Sequence, residues 1–154
     1  MKIELLRGSH SVGEANYHIQ ITPAFRKGIF ADETTKILTR DYLLAAANRH
    51  RITVAAIGFG PDHCHVFTEN CKNHGPAQVA KLLKGFSSRM MRKNHRDLFE
   101  GSLWGNKFWS SGYFYRTVGA VNAETVKRYV EQSQREHWTV ETGIQKRLLE
   151  FTAN

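Results

Sequence analysis

Alternating apolar and polar side chains predict the first elements of the chain. Residues 16–22 place Tyr17, Ile19 and Ile21 on one side of an extended segment and polar residues on the other. This alternation is typical of a half-buried strand, and Pro23 ends it. Asp32 is suited to cap a following helix that runs to about Arg49.

The middle of the chain predicts a β-hairpin followed by an amphipathic helix. Residues 52–59 are apolar and rich in β-branched side chains, and residues 63–68 form a second strand after a tight turn at residues 60–62. Gly75-Pro76 then opens a helix. Apolar residues recur on it at helical spacing and predict its buried face: Val79, Leu82, Leu83, Phe86 and Met90.

The last third is predicted to contain a loop, a strand and a helix. Residues 95–112 are rich in glycine and tryptophan and read as irregular, whereas residues 113–119 have the composition of a strand. Asn122 is placed to cap a final helix. The order of elements indicates a ferredoxin-like split β-α-β sandwich of the α+β class, with an antiparallel sheet and helices mainly on one face. We expect one domain over residues 1–154, with the other sheet face available for a site.

Composition narrows the functional classes. The chain has 154 residues, a formal net charge of +8 and two cysteines. The positive charge favours a polyanionic partner, with nucleic acid as the first candidate, although a merely basic protein has the same charge. Two cysteines do not form a disulfide framework, and the sequence contains no apolar run long enough to span a membrane. We therefore expect a cytoplasmic protein that does not bind membranes.

The histidine pair His63 and His65 is the sharpest chemical feature. Residues two apart in a strand share a face, so both imidazoles project the same way, about 7 Å apart along the backbone. Such a pair can grip one divalent metal, and a third ligand from elsewhere would leave positions for a phosphate. The alternative is two surface histidines that merely alternate with apolar residues. A histidine-triad hydrolase is disfavoured, because Phe67 stands where it requires a third histidine.

Tyr129 is the candidate nucleophile. An isolated tyrosine on a helix is more often a core aromatic, and Val126 and Val130 accompany it. Two cations, Lys127 and Arg128, directly precede it, however, which suits a phenol that meets a phosphodiester. Attack by the phenol on phosphorus would give a covalent phosphotyrosine. Gln132 lies one turn further along and is a candidate third metal ligand.

Basic and aromatic residues predict where nucleic acid would bind. The cations follow the first strand and line the polar side of the helix after Gly75: Arg26, Lys27, Lys81, Lys84, Arg89, Arg92 and Lys93. For each of them, simple solvation is an equally good interpretation. Trp109 and Tyr113 could stack unpaired bases, while core packing is the more common fate of such aromatics and is favoured for Phe114.

Several segments together resemble a known family. Pro61-Asp62-His63-Cys64-His65-Val66-Phe67 resembles the Pro-Asp-His-x-His-hydrophobic signature of the single-tyrosine HUH transposases of the IS200/IS605 insertion sequences. Residues 81–93 are similar to the basic helix of that family, and residues 121–132 to its tyrosine helix. The resemblance extends in order over roughly residues 10–135 and is more specific than the histidine pair alone.

The resemblance implies a metal-dependent transposase that cuts and rejoins single-stranded DNA at hairpin-marked ends. It further implies a homodimer joined through the sheets and Mg²⁺ or Mn²⁺ as the metal. The sequence departs from the family at Ser133, where a glutamine ligand is usual; Gln132 remains nearer the face of Tyr129 than Gln134 does. Two main alternatives remain: a catalytically silent ferredoxin-like nucleic-acid-binding module, and a domesticated relative acting on chromosomal repeat hairpins. A metal-storage or regulatory metal-binding protein is a weaker third one, because it does not explain Tyr129 or the basic helix.

Overall fold

The computed structural model describes residues 6–7, 12–13, 15–103, 105–119 and 124–128. Six strands and two long helices follow one another as β1 (Leu6–Arg7), β2 (Val12–Gly13), β3 (Tyr17–Ile21), α1 (Glu33–Arg49), β4 (Thr53–Gly60), β5 (His63–Glu69), α2 (Pro76–Asn94) and β6 (Phe114–Thr117). Residues 124–128 are helical as well. The strands and helices predicted between residue 16 and the helical residues 124–128 agree with this order, whereas the short β1–β2 pair was not predicted.

The main sheet is four-stranded and antiparallel, in the order β4-β5-β3-β6. Strand β5 lies between β3 and β4, the two strands that α1 connects, and this insertion defines the split β-α-β arrangement. The predicted ferredoxin-like α+β class is confirmed. Among the described helices, none is long and apolar enough to cross a membrane.

Helices α1 and α2 pack on one face of this sheet. Side chains of alternating residues on β3 and β5 meet them in the main core, including Ile19, Ile21, Cys64 and Val66. A second, smaller cluster contains Ala56, Phe67, Val118 and Val126. Because Phe67 alternates with Val66 on β5, this cluster lies on the opposite face, where residues 124–128 cover part of the sheet.

Two polar side chains on the buried face of α1 are accommodated there by hydrogen bonds. Asp32 caps α1, since its Oδ2 accepts from the backbone N–H of Thr35 at 2.9 Å and from the Thr35 hydroxyl at 2.7 Å. The Thr39 hydroxyl donates to the Thr35 carbonyl at 2.7 Å. Both threonines are therefore satisfied and fully buried, whereas Ile37 is 48% exposed.

The buried face of α2 is rotated from the predicted one. Its buried residues are Val79, Ala80, Leu83, Ser87 and Met91. Met90, which was predicted to be buried, is only half-buried. The reason is a polar contact in the core: the indole Nε1 of Trp109 donates to Ser87 Oγ at 2.9 Å, and this hydroxyl donates to the Leu83 carbonyl at 2.6 Å.

We predict that Ser87→Ala destabilises the protein by about 1–3 kcal/mol, because it leaves the buried Trp109 N–H without its acceptor. Urea unfolding monitored by tryptophan fluorescence measures this loss. Ser88→Ala, at the neighbouring half-buried position, is the matched control and should change stability by less than about 0.5 kcal/mol. Equal losses in both variants would contradict a specific role for the hydroxyl of Ser87.

Candidate active site

The register of the central strands places the polar residues of β3 and β5 on one face. Gln20 lies opposite His65, and His18 lies opposite Phe67. On the other side of β3, Phe114 pairs with Gln20 and Arg116 pairs with His18. Residues that are directly opposite in an antiparallel pair share a face. This face is the one that α1 and α2 do not cover, and it is called the site face below.

His63 and His65 project from the site face as a contacting pair. Their ring centroids are 4.9 Å apart and the ring planes are inclined by 79°. The shared face agrees with the alternation seen in the sequence. Their burial is greater than expected, because His63 is 3% and His65 only 1% exposed.

Asp62 holds the first histidine of the pair. Its Oδ1 lies 2.8 Å from Nδ1 of His63, and its Oδ2 accepts a hydrogen bond from Nε of Arg26 at 3.1 Å. Arg26, predicted as a phosphate contact, is thus joined to the site through Asp62. Burial lowers the pKa of His63, and the hydrogen bond to Asp62 acts in the opposite direction.

His18 holds the second histidine. Its Nε2 lies 3.0 Å from Nδ1 of His65, and the two ring planes are inclined by 25° with centroids 5.2 Å apart, so the rings meet edge to edge. Burial, followed by the charge of Arg116, lowers the pKa of His18 to about 4. Burial and the neighbouring His18 and His63 lower the pKa of His65. These imidazoles are therefore neutral at neutral pH, which is the form that binds metals.

Gly60 makes room for the His63 ring. It lies opposite His63 in the β4–β5 hairpin, and a Cβ at this position would come within 2.7 Å of Nε2 and 2.8 Å of Nδ1 of that ring. Any larger residue would therefore push the imidazole away from Asp62. The requirement concerns close approach of the ring to the backbone and not an unusual backbone angle.

Two proposed members of the site cannot be placed. Tyr129 and Gln132 lie outside the described residues. The helix that precedes Tyr129 is on the site face, since Val126 is completely buried in the cluster with Phe67 and Val118. In the described part of the chain, no group of three or more His, Cys, Asp or Glu side chains converges on a metal position.

The predicted nucleic-acid contacts on α2 lie away from the histidines. Lys81, Lys84 and Arg92 line a cleft of about 410 Å³ between α2 and residues 106–113. Arg89 lines a neighbouring groove with Phe86, and Lys93 is exposed near the end of the helix. Because α2 packs on the opposite sheet face, these cations and the imidazole pair are separated by the sheet.

Lys84 also shapes the wall of the cleft. Its ammonium donates to the carbonyls of Ser111 at 3.2 Å and Gly112 at 3.1 Å. Burial, followed by the charge of Lys107, lowers the pKa of Lys84. Trp109 is 5% exposed in the core and is not available to stack bases, whereas Tyr113 lines the cleft and is 38% exposed.

Three residues of the site face were missed as functional candidates. His18 occupies a polar position of the alternating strand β3, so the sequence predicts which face of the strand it is on. Its contact with His65 on β5 depends on the register between the two strands. Asp62 was recognised as part of the family signature, but no role was assigned to its side chain. Arg116 gave no signal, because its proximity to His18 arises only when β6 pairs with β3.

The fold and this site define the class of protein, a ferredoxin-like α+β domain with a buried histidine pair on a central strand. The family profile described as "Transposase IS200 like" matches residues 11–133. The chain therefore belongs to the IS200-like transposases, as its sequence motifs indicated.

Individual relatives agree with this assignment. The ISDra2 transposase TnpA of Deinococcus radiodurans is 26% identical over 131 residues, which cover 85% of this chain and 92% of that protein. A crystal structure of a transposase candidate from Deinococcus radiodurans R1 is 25% identical, with a TM-score of 0.65 over 84% of this chain and 98% of that one.

A more distant structure shares the fold. The REP-associated tyrosine transposase bound to a REP hairpin is 9% identical and aligns with a TM-score of 0.59, over 88% of this chain and 76% of that one. At this identity the likeness concerns the fold alone.

We predict that Gly60→Ala displaces His63 from Asp62 and destabilises the protein by about 1–3 kcal/mol, as overpacking does in a filled core. Urea unfolding gives the stability, and the Nδ1 signal of His63 in ¹⁵N NMR reports the contact with Asp62. Gly28→Ala is the control, because its Cβ would lie at an ordinary 3.8 Å from the Pro61 carbonyl oxygen. An unperturbed His63 signal in Gly60→Ala would contradict the steric argument.

Proposed function

We propose that this transposase cleaves and rejoins single-stranded DNA at hairpin-marked ends through a 5′-phosphotyrosine formed on Tyr129. The observation that carries the proposal is the anchored imidazole pair. His63 and His65 are each held at Nδ1, by Asp62 and by His18, so that Nε2 is the nitrogen each ring would offer to a metal. If the two histidines were purely structural, there would be no reason for each ring to be held at its own Nδ1, with Nε2 as the nitrogen that would meet a ligand.

We propose that a divalent metal, Mg²⁺ or Mn²⁺, is held by His63, His65 and a third ligand. Neutral imidazoles on one face supply two ligands, and the site requires a contribution from outside the described residues. We propose Gln132 for it, with Gln134 or a water as alternatives. A cation bound there supplies positive charge that polarises the scissile phosphate and offsets charge on the departing oxygen.

Tyr129 is the proposed nucleophile. It follows Arg128, the last described helical residue, by one position, and Val126 three positions earlier is buried on the site face. The described helical residues before it therefore lie on the sheet face that carries the imidazoles. The cations Lys127 and Arg128 directly before the phenol suit a residue that meets a phosphodiester. The phenol oxygen forms a bond to phosphorus and loses its proton, while the bond from phosphorus to the 3′ oxygen breaks and that oxygen leaves as a 3′-OH.

The cleft beside α2 is the proposed binding site for the hairpin stem. Lys81, Lys84, Arg89, Arg92 and Lys93 supply positive charge along the helix, with Lys107 on the other wall of the cleft. The hairpin partner is supported by the similar REP-associated transposase, which was solved with a hairpin. Since sheet and helices separate the cleft from the imidazoles, the single strand next to the stem must pass around the sheet to reach the site face.

We propose that the single strand next to the stem passes Arg26 and Lys27 on its way to the site face. Arg26 lies at the end of the site where Asp62 follows β4, and Lys27 is adjacent to it. Cations at this position can receive phosphates that approach the imidazole pair from the sheet edge. We further propose that the transposase acts as a DNA-associated homodimer, which rests on the resemblance to the family described above.

The proposed chemistry predicts a covalent protein–DNA adduct. Incubation of the protein with single-stranded hairpin DNA and Mn²⁺ should give a shifted band on a denaturing gel when the label is on the 3′ side of the cleaved bond. Tyr129→Phe should abolish the adduct, because the nucleophilic oxygen is gone, while hairpin binding is retained. His63→Ala and His65→Ala should lower the rate of adduct formation by at least about 100-fold.

Two results would contradict parts of this proposal, and a third experiment identifies the third ligand. Hairpin binding without any adduct from the wild-type protein would favour the catalytically silent module. An adduct that persists in Tyr129→Phe would mean that another residue is the nucleophile. Separate Gln132→Ala and Gln134→Ala variants identify the third ligand, since only the true ligand should raise the Mn²⁺ concentration needed for half-maximal rate.

The proposed stem contacts predict a change in salt dependence. Replacing both Lys81 and Arg92 by Gln should weaken hairpin binding and reduce the slope of log affinity against log salt by about 0.9 for each phosphate that is no longer neutralised. Fluorescence anisotropy over a range of KCl concentrations measures both. Arg40→Gln removes one charge from an exposed position on α1, outside the cleft, and should leave the slope unchanged. Identical slopes in the double variant and this control would rule out the cleft.

A further inference from the structure

His18 and His65 form a buried pair joined by one hydrogen bond, whose proton lies either on Nδ1 of His65 or on Nε2 of His18. Nε2 of His18 faces Nδ1 of His65 at 3.0 Å, and each residue is 1% exposed. A hydrogen bond between two neutral imidazoles requires one N–H donor and one lone-pair acceptor. The contact therefore places a single proton between the rings, and its position decides the tautomer of both histidines.

Only one arrangement suits a metal ligand. If Nδ1 of His65 carries the proton and donates to His18, the lone pair of His65 is on Nε2. If Nε2 of His18 donates instead, neutral His65 carries its proton on Nε2, which is the atom that would meet a metal. The second arrangement would block the site, so the function requires His18 to be the acceptor.

We propose that His18 is a positioning residue that holds His65 in the tautomer and orientation required to bind the metal. The assignment rests on the metal-dependent function proposed above and concerns a residue that does not itself touch the metal. Asp62 holds His63 through Nδ1 at 2.8 Å in the same manner. The two ligands would thus be oriented by different groups, a carboxylate for His63 and an imidazole for His65.

The surroundings of His18 argue against a purely structural role. Its ring lies edge to edge with that of His65 and meets the Phe114 ring edge-on at a centroid distance of 6.1 Å. Its other nitrogen, Nδ1, is buried and has no hydrogen-bond partner among the described residues. An apolar side chain would pack here without burying an unsatisfied polar atom. The imidazole is explained by the acceptor that it provides to His65.

Direct coordination by His18 is the competing assignment. A separation of 3.0 Å between two nitrogens is a normal hydrogen-bond distance, and it is also the spacing of two adjacent ligands around one metal. Coordination between the facing atoms would use Nδ1 of His65, whereas positioning leaves Nδ1 protonated and uses Nε2. The nitrogen atoms involved therefore distinguish the two assignments.

Substitution at His18 tests the assignment through Mn²⁺ binding, measured by electron paramagnetic resonance on the DNA-free protein. His18→Leu removes the acceptor and should weaken Mn²⁺ binding by about 10- to 100-fold. His18→Gln can place its amide oxygen near the position of Nε2 and should restore most of the affinity. His95 is the matched control: its ring nitrogen bonds to the Tyr42 hydroxyl at 2.8 Å, away from the site, so His95→Leu should bind Mn²⁺ as wild type does.

Long-range ¹H–¹⁵N NMR of the metal-free protein adds a readout that loss of packing alone would not produce. We expect His65 to be protonated at Nδ1 in the wild type and in His18→Gln, and at Nε2 in His18→Leu. If His18→Leu fails to fold, the wild type and His18→Gln still report the tautomer. A wild-type His65 protonated at Nε2 would overturn the proposal.

The remaining outcomes separate this proposal from the function on which it rests. Wild-type Mn²⁺ affinity in a folded His18→Leu would overturn the positioning role alone. So would Zn²⁺-induced ¹⁵N shifts at Nε2 of His18 and Nδ1 of His65, because they would make His18 a ligand. Absence of Mn²⁺ binding in the wild type, or binding that survives His65→Ala, would overturn the proposed metal site itself and this assignment with it.

Discussion

Antiparallel pairing of β3 with β5 at the centre of the sheet is the constraint on which the site depends. It sets Gln20 opposite His65 and His18 opposite Phe67. The same register sends Cys64 and Val66 into the core under α1 and α2. Since side chains alternate with a period of two, a slip of one residue would turn the imidazoles into that core. Burial of the apolar face and placement of the histidines are therefore one structural requirement.

Once the imidazoles share a buried face, hydrogen bonding determines their chemistry. Burial lowers the pKa of both His18 and His65, which favours the neutral rings that a metal requires. Asp62 and His18 occupy Nδ1 of the two histidines of the pair. The rings are thus oriented before any ligand arrives, and little side-chain entropy remains to be lost on binding. Arg26 in turn holds Asp62 in place through a hydrogen bond from its Nε to Oδ2.

The sequence predicted the strands and long helices between residue 16 and the helical residues 124–128, and the fold class, because periodicity is a local property. The sequence-based prediction was wrong where packing between elements determines which side chains are buried. The buried face of α2 includes Ser87 and Met91 in place of Met90, because the indole of Trp109 requires the Ser87 hydroxyl. Trp109 itself is in the core and not on a base-stacking surface. The hydrophobic pattern of α2 cannot predict that the indole N–H of Trp109, from a loop far along the chain, donates to Ser87.

For the site, the sequence by itself determined that His63 and His65 share a face, because alternation along a strand requires it, and the motif order indicated the family. The roles of Tyr129 and Gln132 stay predictions of the sequence. Only the tertiary structure decided that His18 contacts His65, that Arg26 bonds to Asp62, and that the cations of α2 lie across the sheet from the histidines. Each of these depends on strand register or on the face that a helix covers, and both are set by contacts between residues far apart in the chain.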